Sequence, residues 1–222
     1  MNQRQLNVYV VPGMNGDRFF NNRRLVSNIE DADVVVFTGG ADINPEIYGK
    51  EAHPTTYFSR QRDKYEIEAF NAMRPDQLAV GLCRGCQMLA ALNGAILIQN
   101  VSSHAGCGQH RIHNANGKTF SIVSIHHQMI YPWDLPEDEY DVLYWADHLS
   151  RYYEGDGVDP EVMKNNVEPE IAVFHKENLP KCLCIQGHPE MMEHGATTDL
   201  VNDLIYDLLD GTYTPEGAWK KR

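Results

Sequence analysis

Between Leu78 and Gly94 (LAVGLCRGCQMLAALNG) the chain carries residue types at a spacing suited to nucleophilic chemistry. An apolar run, Leu78 to Leu82, enters Gly81-Leu82-Cys83-Arg84-Gly85, and a helix-like stretch follows at once. This is the sequence form of a nucleophile elbow, a sharp strand-to-helix turn that lifts one side chain off the end of a sheet. Glycines two before and two after Cys83 let the backbone bend tightly and keep Cβ atoms from crowding it. A thiol so placed sits at a helix N-terminus. There the aligned amide dipoles favour thiolate over thiol, and N–H groups can hold a developing oxyanion.

A thiol nucleophile needs a base, and that base is usually oriented by a third group. The best candidates lie in Cys184-Ile185-Gln186-Gly187-His188-Pro189-Glu190. Pro189 disfavours helix at His188 and holds it extended. Glu190 can then reach back to the second ring nitrogen and fix the tautomer. A further loop, Gly39-Gly40-Ala41-Asp42-Ile43-Asn44-Pro45, follows a β-branched run, and its amides could face the elbow across the carboxyl edge of a parallel sheet. The amides of Gly40 and Arg84 are the expected oxyanion hole. Taken alone, the glycine pair reads equally well as a turn followed by an Asp cap.

The elements needed to position these groups are legible around them. Asn7 to Val11 and Asp33 to Thr38 are nearly continuous β-branched runs, the pattern of buried parallel strands. Pro12-Gly13 predicts a turn after the first, and Asn21 to Ile29 a short helix between the two. Asp63 to Met73 carries Tyr65, Ile67, Phe70 and Met73 at helical spacing, with Pro75 as the stop. Gly94 is a C-cap signal, and Ala95 to Ile98 the next strand. The fold class expected is α/β. It is read as a single three-layer domain over residues 1–222, with a mostly parallel, doubly wound sheet.

Thr119 to Ile125, Asp141 to Trp145, Ile171 to His175 and Cys182 to Gln186 read as shorter strands, a few of them antiparallel additions. Asp147 to Val167 reads as a charged surface insertion, and its Tyr152-Tyr153 pair as surface packing. Asp199 to Leu209 is an amphipathic closing helix.

Composition narrows the partners. The formal net charge of −12 in 222 residues works against nucleic-acid binding, which needs clustered Lys and Arg. No stretch reaches the roughly 18 apolar residues of a membrane span. The polar start, MNQRQLNVYVVPG, does not read as a signal peptide. Five cysteines, an odd number, suggest free thiols in a reducing compartment, and a cytoplasmic location is expected.

Gly81 to Gln87 (GLCRGCQ), Gly39 to Pro45 (GGADINP) and Gln186 to Glu190 (QGHPE) together resemble the class I glutamine amidotransferase superfamily. So do Arg62-Asp63 with Glu66, and Ser124-Ile125-His126-His127-Gln128. Within it the chain is most similar to the γ-glutamyl hydrolase branch, peptidase C26, which includes enzymes that cleave γ-glutamyl-γ-aminobutyrate. The resemblance spans roughly residues 33 to 195. It implies a flavodoxin-like fold, with Cys83 as nucleophile, His188 as base then acid, and Glu190 as its orienter. It also implies that Gln87 helps to hold a glutamyl group. Position 87 suits that role physically, because a side chain at i+4 lies over the same helix face as Cys83.

The activity implied is hydrolysis of a γ-glutamyl amide through a thioester. The alternative is a glutaminase subunit supplying ammonia to a synthetase in trans. A homodimer is compatible with either, and neither requires a metal or an organic cofactor. The departures are Gly187 where an aromatic residue is common, Gly94-Ala95 where a double glycine is usual, and Cys86 where a larger apolar residue is common.

Other groupings compete for the same residues. Cys83 and Cys86 have the spacing of a redox pair. The pair could instead combine with Cys107, His110 and His113 in a zinc site, against the plainer reading of a polar loop. His126 and His127 are adjacent, so on an extended chain they point to opposite sides. From this segment His127 and Gln128 are the expected substrate contacts. Arg62, Asp63 and Glu66 read most simply as a salt-bridged helix start with Asp63 as cap. Cys182 and Cys184, at period two, share a face and pack in the core.

Overall fold

Leu78 to Leu82 and Val34 to Phe37 are buried along their whole length, as strands covered on both faces must be. They lie in the interior of a nine-stranded sheet. The computed structural model describes residues 3–11, 16–106 and 108–220. In chain order the strands are β1 (Leu6–Val10), β2 (Arg23–Leu25), β3 (Val34–Phe37), β4 (Leu78–Leu82), β5 (Ile96–Ile98), β6 (Asn100–Val101) and β7 (Gly108–His113). There follow β8 (Thr119–Ser124), β9 (Met129–Tyr131), β10 (Tyr140–Ala146), β11 (Tyr153–Glu154), β12 (Glu168–Phe174) and β13 (Lys181–Ile185). The helices are α1 (Arg60–Asn71), α2 (Arg84–Leu92), α3 (Pro160–Asn165) and α4 (Ala196–Asp210).

The main sheet runs β2-β1-β3-β4-β13-β12-β10-β7-β8. The pairings from β2 through β13 are parallel, and those from β13 through β8 antiparallel. Helices flank it. One face packs Val35, Phe37 and Ala79 against Cys86, Leu89 and Ala90 of α2. The opposite face packs Val34, Val36 and Val80 with Val201, Ile205 and Leu208 of α4. The amphipathic pattern read for α4 is therefore the pattern of its buried stripe.

Several local expectations change. The segment 21–29 is not a helix. Arg23–Leu25 pairs parallel with β1, and a 3-10 turn follows at Ile29–Asp31. Asn21, Asn22 and Asn28 favour this outcome, because short amide side chains compete with the helical backbone for hydrogen bonds. Asn21 and Asn28 bond instead to Asp199 and Asp31. Strand β5 forms, but it pairs with β9 in a separate two-stranded sheet. The insertion 147–167 contains β11 and α3, and Met163 on α3 is fully buried. Pro12 and Gly13 lie outside the described residues. Among the described residues no helix is long and apolar enough to cross a membrane.

Candidate active site

Three neighbouring parallel strands deliver the groups singled out above. Phe37 of β3 pairs with Gly81 of β4, and Leu82 of β4 pairs with Ile185 of β13. Gly39-Gly40, Cys83 and His188 therefore all emerge at the carboxyl edge of the sheet, where open α/β folds place their ligands. The Cys83 amide donates to the Ile185 carbonyl oxygen at 2.8 Å, which ties the elbow to the strand that leads to His188.

Cys83 has φ 49° and ψ −104°, in the region with positive φ that a side chain ordinarily avoids. The surroundings hold it there. Gly81 and Gly85 are in backbone contact, and a Cβ built on Gly81 would lie 2.5 Å from the Gly85 carbonyl. A Cβ on Gly85 would collide with the Phe37 carbonyl oxygen. The two glycines flanking Cys83 thus let α2 start directly on β3, and any larger residue at either would push the helix away. Cys83 caps α2 through its backbone only, so its thiol makes no capping hydrogen bond.

His188 leaves β13 through Gly187, and its amide donates to the Val123 carbonyl oxygen of β8 at 2.9 Å. Its Nδ1 donates to Glu190 Oε1 at 2.7 Å, and the ring interacts electrostatically with the neighbouring Cys83 thiol. Cys83, His188 and Glu190 are all buried. Burial alone would lower the histidine, but its interactions with Cys83 and Glu190 carry it up to about 10. That direction favours the imidazolium form of the ring, the charge partner a thiolate requires.

Gly187 has a steric reason. A Cβ there would lie 2.5 Å from Ile122 Cγ1 and 2.8 Å from the Val123 carbonyl oxygen. Strand β8 closes over this position, so the change from the aromatic residue common in the family does not open a pocket.

Arg84 contributes more than an amide at the start of α2. Its side chain is fully buried and makes a double ion pair with α1, to Glu66 and, at 2.6 Å, to Asp63. Arg62, also on Glu66, donates to the carbonyl oxygens of Thr38 at 3.1 Å and Gly39 at 2.8 Å. This network binds α1, the elbow and the Gly39-Gly40 loop into one frame. Arg62 and Glu66 are salt-bridged at the start of α1, as read, but the cap differs. Ser59, not Asp63, is the N-cap of α1, and Asp63 is a buried partner of Arg84. Burial pushes the Asp63 carboxyl above its ordinary value despite the guanidinium beside it.

The proposed substrate contacts form the adjoining wall. Gln87 is buried, and its Nε2 donates to the Gln128 carbonyl oxygen at 3.2 Å and to Gln186 Oε1 at 3.4 Å. Gln128 Nε2 donates to Thr56 Oγ1 at 3.1 Å, while its Oε1 is buried without a hydrogen-bond partner among the described residues. His126 is buried and His127 half-exposed against Asp42 Oδ1 at 3.0 Å, on opposite sides as the extended chain requires. Asp42 raises the His127 titration.

Cys86 is fully buried in the same core cluster as Cys184, a core residue rather than a redox partner for Cys83. The grouping Cys107, His110 and His113 does not assemble as read. His110 and His113 are three apart on β7 and face opposite ways; His113 packs edge-on against Trp145 and lies 3.4 Å from Asp147. Cys107 lies outside the described residues.

The Peptidase C26 family model matches residues 19–134, just over half of the chain. The chain belongs to the peptidase C26 family. That match covers the elbow and the His126-His127-Gln128 segment and stops short of His188 and Glu190, which the fold itself brings to the elbow.

Among relatives of this C26 chain, the "Putative glutamine amidotransferase Rv2859c" of Mycobacterium tuberculosis is 32% identical over 100 residues, 44% of this chain and 32% of that protein. Protein NtpR of Enterococcus hirae is 25% identical over 180 residues, 77% of this chain and 72% of that protein. The chain thus spans about a third of the length of the mycobacterial relative. A solved glutamine amidotransferase from Thermotoga maritima aligns with a TM-score of 0.53 at 16% identity, over 96% of this chain and 88% of that one. The shared architecture is the class I glutamine amidotransferase fold.

Sequence reasoning missed the polar cluster on β12. Glu168 and Glu170, both fully buried, sit within the otherwise largely apolar strand. Two glutamates at period two in Glu168-Pro169-Glu170-Ile171-Ala172-Val173-Phe174 were the available signal, because a buried strand does not carry paired carboxylates without partners. Tyr153, read as surface packing, donates from its hydroxyl to Glu168 Oε1 at 2.7 Å.

Proposed function

We propose that this chain is a cysteine hydrolase of γ-glutamyl amide bonds. The observation that carries the reading is the elbow thiol at a strained backbone position, beside an imidazole that Glu190 orients. Cys83 attacks the γ-carbonyl carbon as thiolate, and the amides of Gly40 and Arg84 hold the oxyanion. The imidazolium of His188 gives its proton to the departing amine, and a γ-glutamyl thioester remains. His188, now neutral, takes a proton from water as the water attacks the thioester, and Cys83 is regenerated with free glutamate. Gln87, His127 and Gln128 line the side on which the glutamyl group is held. The step uses no metal.

The second reading is a glutaminase subunit that passes ammonia to a synthetase in trans. It is favoured by the fold shared with a Thermoplasma acidophilum protein described as a GMP synthase subunit, which aligns over 95% of this chain at a TM-score of 0.58 and 15% identity. Release of glutamate from glutamine and from γ-glutamyl-amine conjugates by the isolated chain separates the two. Turnover of conjugates with glutamine left intact is the expected result. Turnover of glutamine alone would move the chain to the second reading.

The pH profile provides an independent check. The proton donated to the leaving amine resides on a histidine raised to about 10, so it is present below that pH and lost as pH rises through it. The basic limb of kcat/KM is expected toward pH 10 rather than near the ordinary histidine value of about 6.5. A limb near 6.5 in the wild type would show that His188 is not held as the imidazolium.

A further inference from the structure

Beyond the wall that carries Gln87, a group of histidines surrounds a carboxylate. Glu168 and Glu170 project from one face of β12, and both are fully buried. Glu168 has a full set of donors: His104 Nε2 at 3.0 Å, the Tyr153 hydroxyl at 2.7 Å, and the amides of Leu149 at 3.0 Å and Ser150 at 2.8 Å. Glu170 is met differently. His110 Nε2 lies 2.8 Å, His104 Nδ1 3.5 Å and His126 Nε2 3.9 Å from its Oε1. One nitrogen each of His104 and His126 and an oxygen of Glu170 lie within 4.8 Å of one another.

The hydrogen bonds behind the rings decide which atoms face inward. His126 Nδ1 is 2.9 Å from the Gln128 carbonyl oxygen, which can only accept, so Nδ1 carries the hydrogen. In the neutral ring Nε2 is then a lone pair turned toward Glu170, at a distance too long for a hydrogen bond. His104 repeats the arrangement. Its Nε2 lies against the Glu168 carboxylate, and its Nδ1 stands 3.5 Å from both Glu170 Oε1 and Ser124 Oγ. The His126 lone pair and the Glu170 carboxylate face one another across 3.9 Å, a gap that a bound cation would bridge.

We propose that His104, His110, His126 and Glu170 form a binding site for one divalent transition-metal ion of the zinc type, built to hold structure rather than to react. Three imidazoles and one carboxylate suit four-coordinate zinc, whereas calcium and magnesium call for oxygen ligands. The three imidazole nitrogens stand 2.8 to 3.9 Å from Glu170 Oε1, around the roughly 3.4 Å edge of a tetrahedron with bonds of about 2.1 Å. The Glu168 carboxylate behind His104 and the Gln128 carbonyl behind His126 are the supports that metal-binding histidines ordinarily have. The Gln128 carbonyl also accepts from Gln87, so an ion here would brace the wall beside Cys83 without entering the reaction.

The test is a titration of the purified full chain, stripped with a chelator, with Zn²⁺ alone. One equivalent should bind and raise the thermal midpoint, and Co²⁺ in its place should show tetrahedral visible absorption. Glu170→Gln should weaken Zn²⁺ at least about 10- to 100-fold, and Glu168→Gln should act in the same direction. His113→Asn, on the other side of β7, should leave the affinity unchanged. A folded, stripped wild type that takes up no stoichiometric Zn²⁺ and shows no thermal shift overturns the site. So does a Glu170→Gln variant that keeps wild-type affinity, or loss of the ion in His113→Asn. These readouts are independent of catalytic activity.

Discussion

Cys83→Ala is expected to reduce hydrolysis of a γ-glutamyl amide by at least about 10⁴-fold, because removing the nucleophile of a coupled triad costs nearly as much as removing the triad. The fold should persist. Alanine is smaller than cysteine, and both carry the same backbone cost at φ 49° and ψ −104°. Such strain is worth on the order of 1–3 kcal/mol, so Cys83→Gly should be more stable than Cys83→Ala by about 1 kcal/mol, the extra chain entropy of glycine offsetting part of the relief. Single-turnover kinetics and urea denaturation of the three proteins check this. An Ala variant that keeps a tenth of wild-type turnover would remove Cys83 from the proposed mechanism, and a Gly variant less stable than Ala would show that the elbow is unstrained.

The second large effect is on stability. Arg84→Met is expected to destabilise the fold by about 3–5 kcal/mol, since it leaves two buried carboxylates without their shared guanidinium. Against a total of about 5–15 kcal/mol for an ordinary domain, that is a large fraction. The pH dependence has a definite sign. Burial already raises the Asp63 carboxyl against the pull of Arg84, and without Arg84 it rises further. The folded variant then binds a proton more readily than the unfolded chain, so its deficit is largest at pH 8 and shrinks as pH falls toward 5. Chemical denaturation at the two pH values measures it. A deficit under 1 kcal/mol at pH 8, or one that grows on acidification, would contradict a buried ion network at this position. Activity should fall with stability, because the same network holds the Gly39-Gly40 loop through Arg62.

The parts of the fold legible in the sequence are those with local causes. β3, β4 and α2 follow from continuous apolar runs and the glycines at 81 and 85, whose geometry is decided within a few residues. α4 follows from its stripe of apolar residues. The region from 21 to 29 is less readable, since its conformation depends on the open edge of β1 that it covers. Arg62, Asp63 and Glu66 have the spacing of a salt-bridged helix start. Asp63 and Glu66 are buried because Arg84, from a different element, needs partners.

The candidate site divides along the same line. The sequence by itself determined that a thiol would stand at a tight strand-to-helix turn, because glycine spacing and an apolar run are properties of contiguous residues. It also determined that a histidine would leave a strand extended before proline. Only the tertiary structure decided that the two meet. Parallel pairing of β4 with β13 in register Leu82↔Ile185 sets Cys83 beside His188 across about a hundred residues of chain. The same holds for the histidines around Glu170, which come from the β6–β7 loop, β7 and the segment after β8, and converge on β12. Burying Glu170 creates the need for positive charge, and burial is a property of the packed chain rather than of any segment within it.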